Sequence, residues 1–298
     1  NPSIPKASEE PHLTQPAVSI QLKNFQEQFP IALTEVVGRK LYLTEFGKEM
    51  ALAAERILDE VHAINYRTLE YGGYLAGKLK IAVVSTGKYV MPYFLSGFME
   101  KHKGVDLVMD VTNKTAVVEN LDRNEVDFAL VSVLPRHFEV DKVELMENRL
   151  YLVGSSDAFF TRKKVDLNYL AKAPLIFREN GSATRMAMEN YLSTHKIQVA
   201  KKMELTSNEA VKQAVVAGLG YSIMPLIGIK NELRNGDLHV YPLKGLPIKT
   251  TWNLAWMPSK RFSPVAQAFL EYLEGSKAAV MENCFQWFLK YADTTKAE

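Results

Sequence analysis

The chain has 298 residues, 47% hydrophobic and 23% charged, which is the balance of a folded globular protein. That excludes a disordered chain, a collagen-like one and a small disulfide-stapled scaffold. Lys and Arg number 36 against 34 Asp and Glu, so any nucleic-acid contact must rest on local placement of charge. The length suffices for two domains, and no apolar run approaches the roughly 20 residues that span a bilayer. The start, Asn1-Pro2-Ser3-Ile4-Pro5-Lys6, lacks the apolar core of a signal peptide, and the single Cys284 cannot form an intramolecular disulfide. Both features point to a cytoplasmic location without a membrane partner.

In chain order, the first clear element is a helix capped by Thr14, with Pro16 in the first turn where proline is tolerated. Val18, Leu22 and Phe25 share a face that should pack inward. Gln15, Ser19, Gln21 and Lys23 lie on the other sides, where short amides and hydroxyls suit base edges and phosphates. A hairpin-like segment follows, Gly38-Arg39-Lys40-Leu41-Tyr42-Leu43-Thr44, with two cations at its tip placed to rest against phosphate. From residue 44 to 71 the apolar positions Phe46, Met50, Ala53, Ile57, Val61, Ile64 and Tyr71 step by three and four. That stripe predicts one long helix of about 40 Å, closed by Gly72-Gly73, that pairs with another helix. The alternative is an ordinary amphipathic helix lying on its own core.

Beyond Gly77 the pattern alternates. Strands are expected at 79–84, 105–111, 128–133, 150–153, 174–177, 202–205, 221–224 and 250–257. Helices are expected at 91–102, 115–123, 183–194, 208–217 and 264–273. Alternation of this kind implies parallel sheets with helices on both faces, and two such sets imply two α/β lobes with a cleft between them. Catalytic chemistry is not evident. The six histidines are scattered with no HExxH pair, and Cys284 sits on an apolar helical stretch. Gly220-Tyr221-Ser222-Ile223-Met224 lacks the last glycine of a nucleophile elbow, and Gly218-Leu219-Gly220 follows a helix rather than a strand. The chain is expected not to be an enzyme, with no metal site and no cofactor.

The cleft is the better candidate. A ligand there meets strand ends and helix starts, where N–H groups point outward. Ser85 and Thr86 end the first strand, Thr112 and Asn113 the second, and Ser132 the third. Arg178, Gly181, Ser182 and Thr184 surround a helix start, and Asn208 is expected to cap another. We take Ser85, Thr86, Thr112, Asn113, Ser132, Arg178 and Thr184 as effector-binding candidates; with Lys88 nearby, the set suits a small anion.

In combination, Ala7-Ser8-Glu9-Glu10, Leu13-Thr14-Gln15-Pro16-Ala17-Val18-Ser19 and Gly38-Arg39-Lys40-Leu41-Tyr42-Leu43-Thr44-Glu45-Phe46-Gly47 resemble the winged helix-turn-helix and linker of LysR-type transcriptional regulators. Arg178-Glu179-Asn180-Gly181-Ser182-Ala183-Thr184-Arg185 and the segment 207–215 are similar to the subgroup that regulates RuBisCO (Calvin-cycle) operons. The resemblance implies an α/β chain in several parts. A winged helix-turn-helix over 1–43 contacts promoter DNA through Thr14, Gln15, Pro16, Ser19, Gln21, Lys23, Arg39 and Lys40. A linker and dimerisation helix follows over 44–73, then a two-lobed effector domain of periplasmic-binding-protein fold, with lobe I at 78–165 and 248–298 and lobe II at 166–247. It further implies a tetramer and a metabolite effector such as a sugar phosphate or nucleotide. The family carries a helix ahead of Ala7, for which few residues remain here, and an arginine where Val36 stands. The first domain is therefore expected to be incomplete and one cation short. A solute-binding protein of transport shares the lobed fold and is the alternative.

Overall fold

The structure, a computed structural model, describes residues 14–38, 40–71, 74–156, 165–258 and 260–294. The chain divides into two compact units, residues 1–73 and 74–298.

In the first unit, α1 (Gln15–Gln26) starts where the Ala17 N–H donates to Thr14 Oγ1 (3.4 Å), with Pro16 in the first turn. Val18 and Leu22 are half-buried as expected, but Phe25 does not pack inward with them and remains exposed. Its ring instead meets Phe29 edge-on (5.2 Å), and Phe29 meets Phe46 (5.8 Å). Gln26 ties the helix end to the next loop, donating to the Ile31 carbonyl (3.0 Å) and accepting from the Leu33 N–H (2.5 Å). Then β1 (Thr34–Val37) and β2 (Lys40–Leu43) form an antiparallel hairpin that turns at Gly38, whose φ of +57° suits glycine. The Thr44 hydroxyl accepts from the Gly47 N–H (3.0 Å) and donates to the Ala32 carbonyl (2.6 Å), so one side chain closes the hairpin and caps α2 (Glu45–Tyr71). Leu33 is buried under the start of α2, and a Cβ on Gly47 would overlap the Leu33 carbonyl. Farther along, Ile57, Val61 and Ile64 of the expected stripe are each more than half exposed within this unit.

The second unit runs β3 (Ala76–Val84), α3 (Met91–Lys101), β4 (Gly104–Thr112), α4 (Lys114–Asp122), β5 (Phe128–Val131), β6 (Asp141–Ser155), α5 (Leu167–Lys172), β7 (Pro174–Arg178), α6 (Ala183–Thr194), β8 (Lys201–Leu205), α7 (Asn208–Val216), β9 (Ser222–Pro225), α8 (Lys230–Asn235), β10 (Leu238–Tyr241), β11 (Ile248–Trp256) and α9 (Pro264–Thr294). The main sheet has the order β10-β6-β11-β5-β3-β4, with β9 also paired to β6. The parallel arrangement expected throughout holds for β3, β4 and β5 and for the separate pair β7–β8. It fails elsewhere: β11 is antiparallel to both β5 and β6, and β9 and β10 are antiparallel to β6. The physical reason is connectivity, since the chain crosses from one lobe to the other on β6 and returns on β11 beside it.

β6 divides two cores. Tyr151 and Val153 face a core with Leu79, Ile81, Phe94, Phe128 and Trp252. Leu150 and Leu152, on the opposite face by strand alternation, join Leu175, Phe177, Tyr191 and Ile223. The expectation that the last helix ends at 273 also fails. It continues to Thr294 because its second half finds its own core contacts. Phe285 stacks on Phe94 (5.9 Å) and meets Tyr93 edge-on (5.2 Å), and the Arg149 guanidinium lies 5.0 Å from the centre of the Phe288 ring.

Candidate effector cavity and DNA-binding face

Two helix starts converge on one small recess, about 210 Å³ with its open mouth. The end of β3 contributes Ser85 and Thr86, the start of α4 contributes Asn113 and Lys114, and the turn from β7 into α6 contributes Arg178, Ser182 and Thr184. Each helix is capped at this point: the Ala116 N–H donates to Asn113 Oδ1 (3.0 Å), and the Arg185 N–H to Ser182 Oγ (3.5 Å). First-turn N–H groups and the positive ends of two helix dipoles therefore face the same space. Gly181, at φ +82°, lets the turn approach α4, since a Cβ there would stand 2.8 Å from Thr115 Oγ1.

The donors differ in availability. Thr86 is 6% exposed and precedes a short 3-10 turn (Gly87–Tyr89) without making a side-chain capping bond. Its hydroxyl and those of Ser85 and Thr184 are therefore the donors open to a ligand. Arg178 is 4% exposed, but its charge is already met: Nε and Nη2 donate to the two Glu179 carboxylate oxygens at 2.7 and 2.8 Å. Lys114, not singled out from the sequence, is the cation that remains. Burial first, and the Arg136 charge second, hold its pKa below the usual lysine range. A lysine in the first turn of a helix opposes the dipole, and that was the legible signal for it.

Five of the seven expected effector residues thus line one cavity: Ser85, Thr86, Asn113, Arg178 and Thr184. Thr112 and Ser132 do not line it; Thr112 is the last residue of edge strand β4, and Ser132 follows the end of β5. Lys88 lies 5.1 Å from the Tyr89 ring centre and belongs to another recess. Ser207, not Asn208, caps α7, accepting from the Ala210 N–H (3.0 Å), while Asn208 is buried at the first helical position.

On the first unit Thr14, Gln15, Pro16, Ser19, Gln21, Lys23 and Lys40 are all exposed. Gln15, Ser19 and Lys23 follow one another at four-residue steps and form one polar stripe, whereas Gln21 lies on the far flank of Val18 and Leu22. Arg39 lies outside the described residues. Among the described residues no group of three or more His, Cys, Asp or Glu could hold a metal ion, and no helix is long and apolar enough to cross a membrane.

A helix–hairpin head, a long helix and a two-lobed α/β unit with a polar cavity define a ligand-responsive DNA-binding regulator. The chain belongs to the LysR family of transcriptional regulators. The family model described as LysR substrate binding domain matches residues 72–277, and that of the bacterial regulatory helix-turn-helix protein, lysR family, matches residues 2–48. The chain is 36% identical over 279 residues to the HTH-type transcriptional activator CmpR of Synechocystis, covering 93% of this chain and 92% of that one. It is 36% identical over 277 residues to the RuBisCO operon transcriptional regulator of Acidithiobacillus ferrooxidans, covering 93% and 90%. The Synechocystis CcmR regulatory domain, solved in complex with 2-PG, is similar at 31% identity and TM-score 0.63, over 70% of this chain and 98% of that one. Full-length CbnR complexed with its target DNA shares the fold, at 20% identity and TM-score 0.67, over 92% and 94%. The relatives are regulators rather than enzymes or solute-binding proteins, so the transport alternative falls. The chain is a DNA-binding transcriptional regulator with an effector-binding domain.

Proposed function

We propose that this regulator senses a small anionic metabolite in the cavity between α4 and α6, and that occupancy alters its binding to promoter DNA. The observation that carries the reading is the convergence of two capped helix starts, three unbonded hydroxyls and Lys114 on one small space. The donor set matches a compact phosphate- or carboxylate-bearing ligand, bound as the lobes adjust, and not a drug-sized apolar one. The CcmR regulatory domain supports this choice, being similar and solved with 2-PG. In the head, Thr14, Gln15, Pro16, Ser19, Gln21 and Lys23 meet the groove while Arg39 and Lys40 touch phosphate.

The α2 stripe is covered by α2 of a second copy, and two such dimers form a tetramer. Residues 1–43, 44–73, 78–165 with 248–298, and 166–247 act as head, linker, lobe I and lobe II. Closure of the lobes on ligand respaces the heads of the oligomer and changes DNA bending. The protein works in the cytoplasm, and its targets include carbon-fixation operons of the kind its relatives' names describe. The test is fluorescence anisotropy of the full chain on promoter DNA upstream of a RuBisCO operon, titrated with 2-PG. A 2-PG-dependent change in affinity or in the footprint is expected. Identical binding curves across the titration, with no calorimetric signal for 2-PG, would remove the effector assignment.

A further inference from the structure

Lys114 also lines a second recess, outside the cavity just described. This one is larger, about 1020 Å³ with its open mouth, and lies between α4, the segment 133–137 after β5, and α6. Its titratable groups are Lys114, Arg136 and His137, with Glu119 and Asp122 on the same helix as Lys114. At 1.5 Å per residue those carboxylates lie roughly 7 and 12 Å further along α4. Met186 and Asn190 of α6 form the opposite wall.

Glu119 and Asp122 match the two cations in number, but neither carboxylate pairs with them. Among the described residues, neither Lys114 nor Arg136 has a carboxylate within 4 Å, although most buried or half-buried cations of this unit do. Lys212 meets Glu232 at 2.7 Å, Arg185 meets Glu204 at 2.6 Å, and Lys260 meets Asp127 at 3.6 Å. Lys114 is opposed three times over, by the dipole of the helix it begins, by partial burial and by Arg136. A solvated surface lysine has no reason to occupy such a place. An anion between the two cations would offset all three costs.

We propose that Lys114 and Arg136 form a second anion subsite, so that the cleft selects effectors carrying two anionic groups. One group lies on the hydroxyls of Ser85, Thr86 and Thr184, and the other on Lys114 and Arg136. The proposal rests on the effector reading of the inner cavity and adds the specificity of that site. Arg136 is the specificity residue, because it belongs to the outer recess alone.

The experiment is calorimetric titration of the full chain with two probes. One is 2-phosphoglycolate, which carries a phosphate and a carboxylate, and the other is methyl phosphate, which carries one anionic group. The parent should prefer 2-phosphoglycolate by tenfold or more, at one equivalent per chain. Arg136→Gln, an exposed change that leaves no partner behind, should abolish that preference while keeping methyl phosphate affinity within twofold. Arg136→Lys should restore part of it. The proposal is overturned if the parent shows no preference, if Arg136→Gln binds 2-phosphoglycolate as the parent does, or if it weakens both probes equally. Two equivalents of methyl phosphate per chain would also overturn it, in favour of two separate anions. Thr86→Val separates the two readings. If it weakens both probes while Arg136→Gln weakens neither, only the outer subsite falls; if it weakens neither, the inner-cavity reading falls.

Discussion

Replacing Thr86 by valine tests the inner cavity cleanly, because the change is nearly isosteric and removes only a hydroxyl. Thr86 is buried, and its side chain makes no capping bond in the free protein. No native hydrogen bond is lost, so the melting temperature should stay within about 2 °C of the parent, or rise slightly. A hydrogen bond from this hydroxyl to an anionic ligand is worth about 1.5–3 kcal/mol, and each 1.4 kcal/mol is tenfold in affinity. Calorimetry with 2-PG should therefore show a loss of roughly ten- to hundredfold. Arg178→Ala gives the contrasting outcome. Its guanidinium is held by Glu179, so the substitution leaves a largely buried carboxylate without its partner and should cost about 3 kcal/mol of stability. Melting should drop by roughly 6–12 °C in a domain of this size. If Thr86→Val destabilises the fold while leaving 2-PG affinity untouched, the hydroxyl has a structural duty and the reasoning fails.

Gly181→Ala places a methyl group 2.8 Å from Thr115 Oγ1 at a left-handed φ, so it should cost at least about 1 kcal/mol and weaken 2-PG. Adding Thr115→Ala should recover the contact part and leave the backbone part, as read by paired melting curves. Val36 is 71% exposed on the hairpin, and Val36→Arg should tighten DNA of every sequence and steepen the log–log salt dependence by about 0.9. An unchanged salt slope would argue that the hairpin does not reach phosphate. Ile57→Lys with Ile64→Lys should turn the oligomer into smaller species with 2-PG binding preserved, as measured by sedimentation; an unchanged mass would reject the helix–helix seam.

The elements that could be read from sequence were those whose local signal and tertiary fate agree. The helix over 183–194 is one, opened by a serine cap and carrying buried Met188, Tyr191 and Leu192. β3 is another, apolar except at Lys78 and Lys80 and buried at all the remaining positions. β6 was seen only at 150–153 because its first half reads Asp141-Lys142-Val143-Glu144, polar at the positions that face solvent. The antiparallel return of β11 left no local mark, since strand direction is set by what the chain has already traversed. The expected end of α9 at 273 falls short because the rings that hold its second half lie far away in sequence, and Gly275, with open surroundings, is merely tolerated within the helix. At the cavity, residue type and position at strand ends found Ser85, Thr86 and Asn113. Arg178, of the right type and place, is not open to a ligand because its neighbour in sequence, Glu179, turns back on it. Lys114 was missed by starting its helix one residue late.

The position of β11 between β5 and β6 has a consequence for the order of synthesis. Of the second unit, residues 76–131 emerge first and can pair among themselves, and residues 141–155 follow. The strand that joins the two halves of the sheet is not made until residue 256, and the helix that seals the first core comes later still. Until then a nascent chain presents two unpaired strand edges, one on β5 and one on β6, to everything around it. A chain that stalls or is cut anywhere between residues 156 and 248 should therefore be an aggregation hazard rather than a partly active regulator. The first unit, residues 1–73, leaves the ribosome ahead of all of these and shares none of that delay.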